Sequence, residues 1–231
     1  SAAYTDLNTL SMIIDNVSRW WGIRLEVSTT NEESIVRAWQ FNTAEAGLEL
    51  TEVDAPVAGP GEVLIDVEAA GVTFPDLLMT RGEYQMKPNP PFVPGSQVAG
   101  TVCSAPEGSG FAPGDRVAAL CGLGGFAEVA TAPPDAVLPL PDSVPFTSGS
   151  ILPVNTLTAE MAFERRGRLR EGETVLVHGA AGGVGTAAIQ VAKVMGARVI
   201  AVTSTDDKAE VARAAGADEV VPVDGFKDAA R

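Results

Sequence analysis

The stretch Glu173–Lys208, which reads ETVLVHGAAGGVGTAAIQVAKVMGARVIAVTSTDDK, decides the fold of this 231-residue chain. Its first part, Thr174–Val177, has the length and the β-branched content of a buried parallel strand. Apolar residues at helical spacing follow, up to a helix-ending glycine at Gly196. Arg198–Val202 then has the pattern of a second strand. The stretch therefore predicts a strand–turn–helix–strand unit.

The turn between the first strand and the helix carries four glycines between residues 179 and 185. Such glycines let backbone N–H groups approach a phosphate, and the helix N-terminus adds a partial positive charge. A unit of this kind binds the diphosphate of a dinucleotide. The residues of the turn that we expect to bind it are Gly182, Gly183, Val184, Gly185 and Thr186. The alternative is that the glycines serve packing alone, as in many strand-to-helix turns.

The end of the second strand indicates which dinucleotide is bound. NAD sites usually carry an acidic residue there, for the ribose hydroxyls. This chain has Thr203, Ser204 and then Lys208, whose polar groups suit an additional phosphate. We therefore expect these three residues to bind NADPH, with NADH the less favoured cofactor. The acids at 206–207 fit the first turn of a helix with Thr205 as N-cap. A solvated helix charge is the alternative role of Lys208.

Composition limits the partners. Thirty acidic residues against sixteen basic ones give a net charge of −14, which argues against nucleic acid or an anionic membrane as partner. The sequence shows neither an 18-residue apolar span nor a signal peptide. Two cysteines without a disulfide framework favour the reducing cytoplasm.

Three regions follow one another along the chain. Residues 1–35 have apolar residues at helical spacing and form an extension of unknown role. Residues 36–146 hold most of the prolines and several short β-rich runs between turn signals, which predict a compact, irregular β-barrel. Residues 147–231 have an α/β pattern that begins with a helix over 151–166. The predicted fold class is thus α/β with a β-rich domain.

Six stretches carry a family resemblance: GEVLIDVEAAGVTFPDLLMTRGEYQ, PPFVPGSQVAGTV, GDRVAAL, GGFAEVA, LPVNTLTA and VLVHGAAGGVG. In this order they resemble the medium-chain dehydrogenase/reductase superfamily, and within it the zinc-independent quinone oxidoreductase branch. The resemblance implies a GroES-like irregular β-barrel followed by a Rossmann domain. It also implies hydride transfer from NADPH to a quinone, an enone or a related conjugated carbonyl compound. Members of this family are usually dimers.

The residues that bind zinc in related enzymes are missing. Such enzymes need thiolate and imidazole ligands, whereas this chain has one histidine, His178, at the end of the dinucleotide strand. Gly95-Ser96-Gln97 stands where zinc enzymes of the family carry Gly-His-Glu. We therefore expect no metal site. The preferred role of His178 is that of a strand-end residue satisfied by the local backbone, and Cys103 and Cys121 are expected to be small buried hydrophobes.

The resemblance also implies residues for the substrate pocket. Tyr84 is the candidate catalytic residue, since a donor to the carbonyl oxygen stabilises developing negative charge. Thr73 and Asp76 are expected beside it, and Thr158 matches the family position next to the nicotinamide. The alternatives are an aromatic packed near a turn for Tyr84 and a hydroxyl bonded to the preceding helical turn for Thr158.

Departures from the family pattern leave other functions open. Thr73 replaces a usual Asn, while Thr156 and Val223 replace tyrosines, and each change removes a polar or aromatic contact. A non-catalytic NADPH-binding homologue and an acyl-thioester enoyl reductase are the alternatives. The sequence supplies strands for only one βαβαβ half of a Rossmann domain. We therefore expect an incomplete form with little activity, and a homodimer for the complete protein.

Overall fold

The computed structural model describes residues 35–224 and residue 226. The extension expected over residues 1–35 lies outside this range, except for Ile35, with which the first strand begins. No helix in the described part of the chain is long and apolar enough to cross a membrane. The boundaries that the sequence places near residues 36 and 147 stay predictions.

Five strands form the antiparallel sheet of the β-rich region, as the alternating short runs predict. They are β3 (Val63–Ala70), β4 (Gln97–Ser104), β5 (Arg116–Leu120), β6 (Val129–Ala132) and β7 (Val137–Pro139), in the order β6-β3-β4-β5-β7. The curved sheet encloses a core of β-branched residues that includes Ile65, Val98 and Val117, all of them fully buried. This is the half-barrel of a GroES-like domain, so the predicted fold of this region is confirmed.

A hairpin precedes the sheet. It pairs β1 (Ile35–Thr43) with β2 (Gly47–Asp54) in antiparallel fashion. β1 also bridges to the barrel, where Phe41 exchanges backbone hydrogen bonds with Phe92. β2 was not predicted, because its acidic residues resemble a polar loop more than a strand.

Three short helical segments accompany the sheet: the first lies between β3 and β4, and the other two follow β7 and lead to the α/β region. They are α1 (Phe74–Thr80), α2 (Phe146–Gly149) and α3 (Leu152–Glu160), and α3 continues as a π-helix over Met161–Gly167. The helix predicted over 151–166 is therefore present, although its second half is wound more widely than an α-helix.

The α/β region contains the predicted dinucleotide unit. Its elements are β8 (Thr174–His178), α4 (Gly183–Val194), β9 (Arg198–Thr203), α5 (Asp206–Ala214) and β10 (Glu219–Pro222). The three strands run parallel in the order β10-β9-β8. Gly196 and Gly216 have positive φ angles, of 77° and 109°, directly after the two helices that they end. Ile189 and Val199 lie fully buried between α4 and the sheet.

Candidate functional site

The strand-to-helix turn after β8 is shaped by its glycines. Gly179 has a φ angle of 62°, a conformation that glycine adopts without steric cost. Its carbonyl oxygen accepts a hydrogen bond of 2.9 Å from the N–H of Gly182, which closes the turn. The first intrahelical bond of α4 then runs from the N–H of Thr186 to the carbonyl oxygen of Gly182, at 2.8 Å. The N–H groups of residues 183–185 come before that bond and have no intrahelical acceptor.

Close packing fixes two of these glycines. A Cβ atom on Gly185 would lie 2.3 Å from the carbonyl oxygen of Gly179, so no side chain fits there. A Cβ atom on Gly183 would lie 2.8 Å from Nδ2 of Asn155 in α3. The two glycines thus let the first turn of α4 approach both the preceding turn and the neighbouring helix. A packing role for these glycines is present, and binding of a diphosphate by this turn stays a prediction.

A pair of polar side chains stands at the end of β9. Nζ of Lys208 donates a hydrogen bond of 3.1 Å to Oγ of Ser204, and both residues are exposed. Thr205 is the N-cap of α5, as predicted, because its side-chain oxygen accepts from the N–H of Lys208 at 3.4 Å. Thr203 is buried, and its carbonyl oxygen accepts from the N–H of Val223 at 2.9 Å.

A cleft of about 340 Å³ joins the two strand ends. The residues that line it are His178, Gly179, Ala180, Ala181, Gly182, Val202, Thr203, Ser204, Lys208 and Val223. Of the residues expected to bind the cofactor, the structure brings four together on the wall of this cleft. Gly183, Val184, Gly185 and Thr186 lie directly beside it in the first turn of α4.

Two further residues that were predicted to bind the cofactor, Thr186 and Thr158, do not line the cleft. The hydroxyl of Thr186 donates to the carbonyl oxygens of Gly182 and Gly183, both at 3.1 Å, so its proton is engaged within α4. Thr158 is exposed on α3 and does not line the cleft. A role for Thr158 beside a nicotinamide stays a prediction.

Two of the predicted substrate residues, Thr73 and Asp76, form a second group at the N-terminus of α1. The carboxylate of Asp76 accepts from the N–H and the hydroxyl of Thr73, at 2.7 and 2.6 Å, and from the N–H of Gly95 at 3.3 Å. Asp76 is only 3% exposed, and this burial raises its pKa although the three hydrogen bonds act to lower it. Tyr84 is half-buried just beyond Gly82, whose φ angle is 67°.

Sequence reasoning missed part of the cleft wall. The ring of His178 packs edge-on against Phe226, with ring centroids 4.7 Å apart, rather than relying on the local backbone as expected. Val202 adds apolar surface to the same wall, and so does Val223, the position at which the family resemblance implies a tyrosine. Val202, near the end of β9, could have been anticipated from the apolar pattern of that strand. The packing of His178 on Phe226 has no local signal.

Groups that could bind a metal do not cluster in the part of the chain that the structure describes, where no three His, Cys, Asp or Glu side chains come together suitably. Cys103 and Cys121 are free thiols in partly buried positions. Burial raises the pKa of Cys121 to about 12, and its thiol donates to the carbonyl oxygen of Gly95 at 3.5 Å. Burial also raises the pKa of Cys103. Both cysteines therefore carry protonated thiols at neutral pH, and freedom from zinc stays a prediction.

Comparison with known proteins identifies the family. Residues 59–142 match the family described as Alcohol dehydrogenase GroES-like domain, and residues 183–231 match the family described as Zinc-binding dehydrogenase. The mouse protein named Quinone oxidoreductase is 37% identical over 187 residues, which cover 80% of this chain and 56% of that protein. The mouse Quinone oxidoreductase-like protein 2 is 40% identical over 172 residues, which cover 74% of this chain and 49% of that protein.

Solved structures agree with these sequence matches. A probable oxidoreductase from Mycobacterium abscessus is 50% identical with a TM-score of 0.82, over 86% of this chain and 64% of that one. The quinone oxidoreductase from Thermus thermophilus, which was also solved in complex with NADPH, is 41% identical with a TM-score of 0.74. That match covers 84% of this chain and 62% of the other.

The chain belongs to the medium-chain dehydrogenase/reductase superfamily, in its quinone oxidoreductase-like branch. It spans about half the length of the curated relatives that it matches.

Proposed function

We propose that the protein binds NADPH in the cleft between β8 and β9 and transfers hydride to a quinone or an α,β-unsaturated carbonyl compound, without zinc. One observation carries this proposal. The glycine turn that leads into α4 and the Ser204–Lys208 pair line a single cleft of about 340 Å³.

The first turn of α4 suits a diphosphate. The N–H groups of residues 183–185 precede the first intrahelical bond, and the helix dipole places partial positive charge at the same end. Gly182 and Gly183 are exposed and add no side chain between these groups and a ligand. Backbone donors, a dipole and missing side chains together form an anion site of the kind used by dinucleotide-binding proteins.

The end of β9 suits the additional phosphate of NADPH. Lys208 supplies a positive charge and Ser204 a hydroxyl, and the 3.1 Å bond between them holds both at one point. The acids that follow Thr205 belong to the first turn of α5, where their negative charges interact favourably with the helix dipole. A ribose without a phosphate would leave Lys208 without an anionic partner in the cleft. This arrangement therefore supports NADPH over NADH.

For the hydride transfer itself, the protein has to position the two reactants and supply a hydrogen-bond donor. NADPH, when bound, supplies the hydride. Tyr84 is proposed to donate its phenolic proton toward the carbonyl oxygen of the acceptor, where negative charge develops. The Thr73 hydroxyl donates to Asp76 at 2.6 Å, so the proposed contact of Thr73 with the acceptor would use its oxygen and not its proton. Thr158, exposed on α3, is proposed to contact the nicotinamide.

A quinone or an enone suits a pocket of this kind because the carbon atoms conjugated to the carbonyl group of such a compound are already electron-poor. A positioned donor then replaces the Lewis acid that alcohol oxidation requires. The chain has a single histidine, and that histidine packs against Phe226 beside the cofactor cleft. We propose the cytoplasm as the location, and a homodimer for a chain of the relatives' length.

Turnover in the presence of a chelator tests this function. The chain is mixed with NADPH and, in turn, 1,4-benzoquinone, 2-cyclohexenone and crotonyl thioester, with and without EDTA, and loss of NADPH absorbance is followed. We expect slow consumption with the quinone and the enone, no dependence on EDTA, and loss of about tenfold in rate for Tyr84→Phe. Binding of NADPH without any consumption would favour a non-catalytic homologue, and preference for the thioester would favour an enoyl reductase.

A further inference from the structure

Asn155 lies against the first turn of α4, although it belongs to α3. A Cβ atom on Gly183 would meet three atoms of the Asn155 carboxamide: Nδ2 at 2.8 Å, and Cγ and Oδ1 at 3.3 Å each. The nitrogen of the carboxamide is therefore the atom nearest to Gly183. A donor group from α3 thus stands beside the backbone donors of α4.

The carboxamide of Asn155 makes no hydrogen bond within residues 35–224 and 226. It is half-buried, so the surrounding chain restricts it without covering it. The preceding residue, Val154, is fixed by a hydrogen bond of 2.9 Å from its N–H to Oε1 of the buried Gln97 side chain. The helix backbone that carries Asn155 is therefore anchored, while the donor and acceptor of its side chain are unused.

We propose that Asn155 is a further cofactor-binding residue, whose Nδ2 donates a hydrogen bond to the diphosphate held at the N-terminus of α4. This inference rests on the proposed function. An amide donor suits the place because it adds to the N–H groups of residues 183–185 without adding a charge that must be desolvated. A residue chosen only to pack on Gly183 would not need a polar side chain.

The position of Thr158 agrees with this role. Residues three apart lie on the same side of a helix, so α3 carries Asn155 and Thr158 on one face. With Asn155 at the diphosphate, Thr158 lies one turn further along the helix, on the side proposed for the nicotinamide. One face of α3 would then follow the cofactor from its diphosphate toward its reactive ring.

Calorimetry with three ligands tests the proposal on the 231-residue chain. NADPH and ADP-ribose both contain the diphosphate, while adenosine 2′-monophosphate carries the additional phosphate alone. The variants are Asn155→Ala, which removes the donor, and Asn155→Asp, which has the same shape and places a negative charge beside the diphosphate. Gln190→Glu is the matched control, because it adds the same charge on the exposed side of α4. Circular dichroism checks that all variants melt like the parent chain.

We expect Asn155→Asp to weaken NADPH and ADP-ribose by about tenfold or more, and Asn155→Ala by a smaller factor. Adenosine 2′-monophosphate should bind all variants alike, and Gln190→Glu should bind all three ligands like the parent. Unchanged affinity of both Asn155 variants for NADPH and ADP-ribose would overturn the role of Asn155 and leave the proposed function standing. Failure of the parent chain to bind NADPH at millimolar concentration would overturn both.

Discussion

Oε1 of Gln97, in β4, accepts a hydrogen bond of 2.9 Å from the backbone N–H of Val154 in the first turn of α3. The bond joins the barrel sheet to the helix that packs against the glycine turn before α4. Gln97 is fully buried, and its Nε2 has no hydrogen-bond partner in the described chain. A Cβ atom on Gly71 would lie 2.7 Å from this nitrogen and 2.5 Å from the carbonyl oxygen of Ser150, so the space around the amide is filled.

Two substitutions of Gln97 should separate the contribution of this hydrogen bond to stability from the cost of burying a charge. Gln97→Met removes the acceptor and should lower the free energy of unfolding by about 1–2 kcal/mol, because the Val154 N–H loses its partner. Gln97→Glu keeps an acceptor but buries a carboxylate without a counter-ion, and it should cost about 3 kcal/mol or more at neutral pH. Urea unfolding of the two variants and the parent measures both values. Equal stability of the two variants would contradict this account.

The buried carboxyl group of Asp76 should give stability a particular pH dependence. Its folded-state pKa is raised above the ordinary value of 3.8, chiefly by burial. The folded chain therefore takes up this proton before the unfolded chain does, and stability should rise as the pH falls from the raised pKa toward the ordinary value. Asp76→Asn removes this gain. Unfolding of both proteins is measured between neutral pH and the ordinary pKa, and a parent that loses stability relative to the variant would show that its hydrogen bonds outweigh burial.

Gly185 should tolerate no side chain. A Cβ atom there would lie 2.3 Å from the carbonyl oxygen of Gly179 and 2.8 Å from Cα of Ala180. Both contacts are with backbone, which cannot rotate away, so Gly185→Ala should lower the free energy of unfolding by at least ~2 kcal/mol. Gly61→Ala is the control, since nothing lies within 4 Å of its Cβ position. Thermal unfolding that changes equally in both variants would contradict the close approach.

Lys208 should set the preference between the two cofactors. Loss of its charge-assisted contact with a phosphate should weaken NADPH by about tenfold or more in Lys208→Ala, and it should leave NADH unchanged. Arg213→Ala on the same helix is the control, because it removes an exposed cation that does not line the cleft. Parallel titrations with both cofactors make the comparison. An equal loss for NADPH and NADH would mean that Lys208 acts on a feature common to both.

The local elements of the fold could be predicted from sequence because their signals are local. The β-branched run of β8, the glycines that end α4 and α5, and the Thr205 cap each lie within a few residues of the structure that they determine. β2 was missed because its acidic residues hide its alternation. It forms as the partner of β1, and a partner strand is not visible in a local pattern.

The candidate site could be predicted only in part, for the same reason. Gly182, Ser204 and Lys208 come from one continuous stretch, and the structure places all three on the cleft. The contact of Asn155 with Gly183, like that of Gln97 with Val154, joins residues far apart in the chain, and only tertiary packing brings them together. The role expected for Asp76 also depends on burial, which sequence alone does not give.

Calorimetric titration of the 231-residue chain with NADPH and with NADH tests the central claim most directly. The claim is that the glycine turn after β8 and the Ser204–Lys208 pair together hold NADPH. We expect NADPH to bind with one site per chain, about tenfold or more tighter than NADH. Equal affinity for the two cofactors, or no heat of binding with either at millimolar concentration, would contradict it.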